Sequence, residues 1–300
     1  MWQAHVNLFL RAVGHRVPVN PLLERLYMRL VPLVGLPGPT VVRSRTGPQF
    51  RVFDSPPRSL KNSPDFHIHY FGVWEARQTR AVRRLVRPGD VCVDVGANIG
   101  WYTLLLGRLA GRTGAVHAFE PDPRAFSLLE ANLRLNPDLR RVYLNPIALG
   151  RTSGWGRLYY SPGSSLYSSI YPIHESTFEI AVESLDDYLM HRTIPSIDFL
   201  KCDVEGSELA VLEGAARTLG DAPTPPMIQI EVNPATARAA GHSSEAVLAW
   251  LHARRGYEFY RITIQGRLAP FPSIQAAAAS LADIICLVPA AHGERMKRSL

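Results

Sequence analysis

The chain has 300 residues, 46% of them hydrophobic, and a net charge of +7; this excludes wholesale disorder and fits one large α/β domain with an extension, or two small domains. Its three cysteines, Cys92, Cys202 and Cys286, each lie in an apolar strand-like run and form no C-x-x-C pair, so neither a disulfide framework nor a structural zinc site is expected and a reducing, cytoplasmic setting is. No apolar run reaches the roughly 18 residues of a membrane span.

Charge is unevenly spread. Residues 1–90 carry a net +9 and residues 91–300 a net −2. A basic extension can meet nucleic acid, anionic lipid or an acidic substrate, or can simply be a solvated arginine-rich surface. Of the 33 basic residues only Lys61, Lys201 and Lys297 are lysines; where arginine is the default cation, a retained lysine suggests a need for an ammonium group.

Within residues 1–38, NPLLERLYMRLVPLVG is a helical pattern with Pro21 near its start and Pro32 near its end. Two readings are open, packing on its own domain or peripheral contact with a membrane surface, and packing is the expectation. Residues 40–53 predict a β-hairpin turning at Thr46-Gly47-Pro48. A helix is expected from about Trp74 to Val86, and Pro88-Gly89-Asp90 turns into the first core strand. Strands then alternate with helices: strand 91–95, helix 101–110, strand 115–119, helix 123–135, strand 141–145, strand 197–204, helix 207–219, strand 227–232 and helix 243–255. YEFYRITI and ADIICLV close the chain as an antiparallel pair. This order predicts a mostly parallel seven-stranded α/β sheet with an antiparallel C-terminal edge hairpin. Residues 150–182, rich in Gly, Ser and Tyr, are expected to be an irregular substrate loop. Residues 1–70 are an N-terminal extension, and residues 291–300 a tail.

The most informative motif is DVGANIG, Asp94 to Gly100, between the first core strand and its helix, with Glu120 ending the next strand in AFEPDP. Strand, glycine turn, helix, strand and terminal acid form a nucleotide half-site. A dinucleotide fold wants G-x-G-x-x-G around a pyrophosphate. Here Gly96 and Gly100 are three residues apart and Asp94 precedes the turn. An acid there repels a pyrophosphate but suits the amino group and sulfonium of S-adenosylmethionine, and Glu120 can accept both ribose hydroxyls. A methyl-donor site is expected.

The second motif is KCDVEGSE, Lys201 to Glu208, at the end of the fourth core strand. Ligands of doubly wound sheets bind outside the carboxyl ends of the strands, so Asp203 and Glu205 are expected to face the same crevice, with Glu231 at the end of the fifth strand on the neighbouring rim. Asp203 is the expected base for an acceptor hydroxyl and Lys201 would orient that acceptor. Glu205 and Glu231 would position the lysine or a bound divalent metal, although no histidine accompanies them at a ligand spacing. Each has a structural alternative: Glu205 could cap the helix at Ser207, and Lys201 could pair with Glu231.

GVWEARQTRAVRRLVRPGDVCVDVGANIGWYTLLL, AFEPDPRAFSLLEANLRLN, SLDDYL at 184–189, IDFLKCDVEGSELAVLEGAARTL and IQIEVNP occur in this order. Together they resemble the FkbM-type family of S-adenosylmethionine-dependent methyltransferases over about residues 70–290. The resemblance implies a class I methyltransferase (Rossmann-like) fold and O-methylation of a hydroxyl on a sugar, polyketide or related metabolite. It implies that Asp94, Gly96, Asn98, Gly100 and Glu120 bind the donor, that Ala148 lies near its adenine, and that Glu75 closes over the cofactor side. Ser165 and Tyr167 match a recurrent Ser-x-Tyr stretch and are expected at the acceptor, with His174 of the same loop as a reserve base. Cys202 departs from the usual aliphatic residue.

Two other classes compete. A nucleic-acid methyltransferase acting on a base would show an Asn/Asp-Pro-Pro-aromatic turn where this chain has Asp203-Val204-Glu205-Gly206, and a cytosine-C5 enzyme a Pro-Cys loop, which is absent. RNA ribose methylation stays open, but no clustered basic and aromatic surface supports it, and a nucleic-acid partner is not expected. The other is a non-catalytic binding protein on the same scaffold.

Overall fold

β-Branched and apolar runs bounded by Gly, Pro and Asp build the strands of the central sheet, as expected of strands buried on both faces. In the computed structural model, residues 2–53, 63–160, 168–169, 176–297 and 299 are described. The chain begins with helices α1 (Trp2–Gly14) and α2 (Pro21–Val34), a hairpin of β1 (Thr40–Arg43) and β2 (Gln49–Val52), then α3 (Pro64–Phe71) and α4 (Ala76–Leu85). The core alternation runs β3 (Val91–Val95), α5 (Trp101–Ala110), β4 (Ala115–Phe119), α6 (Pro123–Arg134) and β5 (Val142–Asn145). Next come β6 (Ala148–Leu149), β7 (Gly154–Tyr160), β8 (Ser168–Ser169), β9 (Ser176–Glu183) and α7 (Leu185–His191). Then follow β10 (Phe199–Cys202), α8 (Glu208–Glu213), α9 (Ala216–Gly220), β11 (Met227–Val232), α10 (Pro234–Ala239) and α11 (Ser244–Arg255). The chain ends with β12 (Glu258–Ile262), β13 (Leu268–Pro270), α12 (Ile274–Ala278), β14 (Ala282–Leu287) and α13 (Pro289–Met296).

The main sheet has the order β13-β12-β14-β11-β10-β3-β4-β5. Strands β5, β4, β3, β10 and β11 are parallel, and β14 runs antiparallel between β11 and β12. The expected antiparallel pair is present as β12 and β14. The short β13 adds an eighth strand, which the sequence does not announce. Strand order reverses between β3 and β10, the switch point at which doubly wound sheets open a crevice. In-register pairing aligns Asp94 with Lys201 and Lys201 with Gln229. Because side chains alternate at a period of two, these three share one face.

Helices cover both faces. One core joins Leu104 and Leu105 of α5 and Val82 and Leu85 of α4 to the N-terminal segment, including Phe50, Tyr27 and Phe71. The other joins Leu212, Leu219, Leu248 and Leu251 to the sheet's opposite side. The described part of residues 1–70 therefore shares a core with the sheet: Phe50 of β2 stacks on Trp101 of α5 with ring centroids 5.2 Å apart.

Three expectations need correction. Residues 150–182 are not irregular throughout: β7 and β9 pair antiparallel over seven residues, in a second, four-stranded sheet of order β6-β9-β7-β8. Alternating side chains along residues 154–160 and 176–183 were obscured by the Gly and Ser content between them. The helix expected at 207–219 breaks into α8 and α9 at Gly214, where the carbonyl of Gly150 approaches so closely that a Cβ would clash. Residues 291–297 are also more than a tail, since α13 is tied to the body by Arg295, whose guanidinium bridges both carboxylate oxygens of Asp90. Among the described residues no helix is long and apolar enough to cross a membrane.

Candidate active site

The crevice opens at the carboxyl ends of β3, β4, β10 and β11, with a volume of about 480 Å³, within the range of small-molecule sites. Its floor is the glycine turn. Gly96 has φ +77, and a Cβ there would lie 1.9 Å from the carbonyl oxygen of Asp203. Only glycine permits both the left-handed backbone and that approach. The N–H groups of Gly96 and Ala97 both donate to the carbonyl of Phe119 at 3.0 Å, which fastens the turn to the end of β4. Gly100 sits at the N-cap of α5, also left-handed, behind the wall.

Glu120, Asn98 and Ala148 line the crevice. The Asn98 N–H donates to Glu120 Oε2 at 2.7 Å and the Asp122 N–H to Oε1 at 2.8 Å, so both carboxylate oxygens are aimed by the backbone and keep lone pairs for a ligand. Burial pushes the Glu120 carboxyl up to about 7 against these two hydrogen bonds. Asp94 departs from expectation. It is fully buried, accepts a 2.6 Å hydrogen bond from Thr103 Oγ1, and is absent from the crevice wall. It stands behind the wall beside Lys201.

Lys201 lines the crevice although only 3% of its surface is exposed. Its Nζ lies 3.0 Å from Asp203 Oδ2 and 3.3 Å from the carbonyl oxygen of Gly96, and 5.2 Å from the Tyr102 ring centroid. Burial alone would lower its basicity, but Asp203, Asp94 and Glu75 raise it above the ordinary lysine range. Its ion-pair partner is thus Asp203 and not Glu231. Lys201 is a fixed charge held between the glycine turn and the end of β10.

Glu205 and Glu231 also line the crevice, and with Asp203 they bring carboxylate oxygens within 4.8 Å of one another. An all-oxygen set of this kind could hold a hard divalent cation. Burial, then the charges of Asp203 and Glu208, push Glu205 up to about 7; burial and the neighbouring acids raise Glu231 further. The helix-capping role considered for Glu205 is not seen: α8 starts at N-cap Ser207 without a side-chain capping hydrogen bond, and Glu208 Oε1 instead accepts from the N–H groups of Val204 and Gly206 in the preceding loop at 3.2 Å. Glu205 instead has φ +51, which turns it at the crevice edge.

Glu75 lines the opposite wall and accepts a 2.5 Å hydrogen bond from Tyr102 Oη. Burial, followed by Asp283 and Asp203, raises its carboxyl well above the usual range. Behind it lies a chain that sequence reasoning missed: Gln229 Nε2 donates to Tyr102 Oη and to Asp283 Oδ1, both at 3.2 Å, and Gln78 Nε2 donates to Asp283 Oδ2 at 3.0 Å. A polar Gln and an Asp inside otherwise apolar strands were the available signal. Ser165, Tyr167 and His174 lie outside the described residues.

Residues 94–259 match the methyltransferase FkbM domain family. The chain is similar to the 31-O-demethyl-FK506 methyltransferase FkbM of Streptomyces tacrolimicus, 32% identical over 160 residues and covering 43% of this chain and 60% of that one. It is also similar to the hexuronic acid methyltransferase AglP of Haloferax volcanii, 28% identical over 155 residues, covering 49% of this chain and 62% of that one. The alignments thus span about three fifths of these relatives. Among solved structures, the methyltransferase FkbM of Methylobacillus flagellatus aligns with a TM-score of 0.45 at 18% identity, covering 74% of this chain and 52% of that one. With more than half its length matched by the family, on the α/β sheet that the family's motifs imply, the chain belongs to the methyltransferase FkbM domain family and has the class I methyltransferase fold.

Proposed function

We propose that the protein is an S-adenosylmethionine-dependent O-methyltransferase whose acceptor is a hydroxyl of a sugar, polyketide or related metabolite. One observation carries this reading: the Gly96–Asn98 turn and Glu120 face Lys201, Asp203 and Glu205 across a single crevice. The residues fit the donor. The turn lets backbone approach it, and the two N–H groups that aim Glu120 leave its carboxylate ready for a ribose. Ala148 offers a small apolar wall for the adenine. The bound donor supplies an electrophilic methyl group.

The chain's own task is then to orient an oxygen and to take its proton. Asp203 already gives one oxygen to Lys201. That leaves Glu205, with its carboxyl near 7, as the better base, a shift of role from Asp203. The Lys201–Asp203 pair holds the acceptor side rigid, and Lys201 places a fixed positive charge where an alkoxide would develop. Relatives named for 31-O-demethyl-FK506 and for a hexuronic acid support an oxygen acceptor.

Calorimetric titration with S-adenosylmethionine, then incubation of the saturated protein with hydroxylated sugars and polyketides under mass detection, tests the proposal. Donor binding and a gain of one CH₂ per transfer are expected. Absence of donor binding by the folded protein would overturn it.

A further inference from the structure

The helical pair α1–α2 packs inward and leaves an apolar stripe outward. Asn7 Nδ2 donates to the carbonyl of Gly35 at 3.1 Å and Tyr27 Oη to that of Leu10 at 2.8 Å, which sets the two helices antiparallel. Leu10, Tyr27, Val31 and Val34 are buried, and Tyr27 packs on Phe71 of α3 at 5.0 Å. The inward faces are therefore complete. On the outward face of α2, Leu22, Leu26 and Leu33 are 78%, 50% and 79% exposed; on α1, Leu8 and Phe9 are 57% and 65% exposed. Positions 22, 26, 29 and 33 recur at helical spacing and form one stripe, with Arg29 within it and Arg25 at its margin. Exposed large apolar side chains in such a row lie outside what a monomer's own folding requires.

The charge around the stripe has one sign. Arg16, Arg25 and Arg29 are exposed and have no ion pair among the described residues. The single acid of residues 1–38, Glu24, is half-buried near His67. A second copy docking here would set arginine against arginine. Leucines amid arginines instead match acyl chains below phosphate headgroups, with the long arginine side chains reaching up to the headgroups. We infer that the outward face of α1–α2 lies in the plane of an anionic lipid bilayer. Helices of 13 and 14 residues are too short to span it and suited to lie on it.

The test is flotation of the full chain with phosphatidylcholine vesicles, alone or containing phosphatidylglycerol. Binding at least roughly twentyfold stronger to the anionic vesicles, weakening as salt is raised, is expected, since Arg25 and Arg29 near a charged surface each contribute roughly a fivefold preference. The triple variant Leu22→Asp, Leu26→Asp, Leu33→Asp should lose that binding while keeping the wild-type unfolding temperature and donor affinity. The double variant Arg25→Glu, Arg29→Glu should lose the preference for phosphatidylglycerol. Equal or absent binding of wild-type protein to the two vesicle types overturns the inference. So does concentration-dependent dimerisation in light scattering that the triple variant abolishes, because the face would then belong to a second copy.

Discussion

Gly96 and Asp203 touch through their backbones: a methyl group on Gly96 would lie 1.9 Å from the Asp203 carbonyl oxygen. Two motifs more than a hundred residues apart are thereby locked edge to edge, and the two sides of the crevice become one rigid unit. Gly96→Ala should force the ends of β3 and β10 apart and strain a backbone of positive φ, a combined cost of about 2–4 kcal/mol. Urea unfolding should show that loss, with donor affinity reduced at least tenfold. A variant of wild-type stability that binds donor normally would show the contact to be incidental.

Glu120 carries the second prediction. In the proposed site Glu120→Ala would remove the acceptor of two donor hydroxyls, where a charge-assisted hydrogen bond contributes about 1.5–3 kcal/mol, so calorimetry should find donor binding weakened roughly 10- to 150-fold. The wild-type carboxyl near 7 must be ionised to accept both. Donor affinity should therefore rise as pH increases through about 7, and Glu120→Gln should flatten that rise. An unchanged pH profile in the Gln variant would move the effect to another group.

Glu205 governs the third. As a base it works only when ionised, so turnover under saturating donor should climb through about pH 7. Glu205→Gln should cut turnover by about 10²–10⁴ with donor affinity nearly unchanged. Asp203→Asn should also lower turnover, but by releasing Lys201, and should leave the ascending pH limb in place. If Glu205→Gln turns over normally and Asp203→Asn abolishes the limb, the base is Asp203. Stability has the opposite dependence: folded pKa values raised above the unfolded carboxylate range at Glu120 and Glu205 contribute stability that is full below about pH 4.5 and lost as pH rises through 7.

Lys201 is the fourth. It is buried against Asp203 and Asp94, so Lys201→Met leaves buried carboxylates uncompensated and should cost about 3–5 kcal/mol. Adding Asp203→Asn should recover part of that stability without restoring turnover. Recovery of both would reduce the lysine to a structural ion.

Arg295 tests how far α13 belongs to the body. Its guanidinium spans both oxygens of the buried Asp90, with Nη2 at 2.9 Å from Oδ1. Arg295→Ala should destabilise the fold by about 2–3 kcal/mol in urea unfolding and leave donor affinity untouched. No change in the unfolding midpoint would make the C-terminal helix an appendage.

Periodicity and punctuation in the sequence were enough for the core alternation, because a strand buried on both faces must be continuously apolar and a strand-to-helix turn needs residues that tolerate left-handed backbone. Hence β3, α5, β4, α6 and β11 stand where their residues announce them, and DVGANIG and KCDVEGSE reach the same crevice. What pairs with what was decided only in three dimensions. Local pattern carries no sign of the register that sets Lys201 beside Asp94, nor of the backbone contact that gives Lys201 to Asp203 in place of Glu231. It also could not tell that Asp94 stands behind the wall, that Glu208 folds back on the loop N–H groups of Val204 and Gly206, or that a Gly- and Ser-rich stretch contributes paired strands. Those outcomes depend on packing between segments far apart in the chain, and on burial, which together with the neighbouring charges of Asp203 and Glu208 moves a carboxyl such as Glu205 towards neutrality.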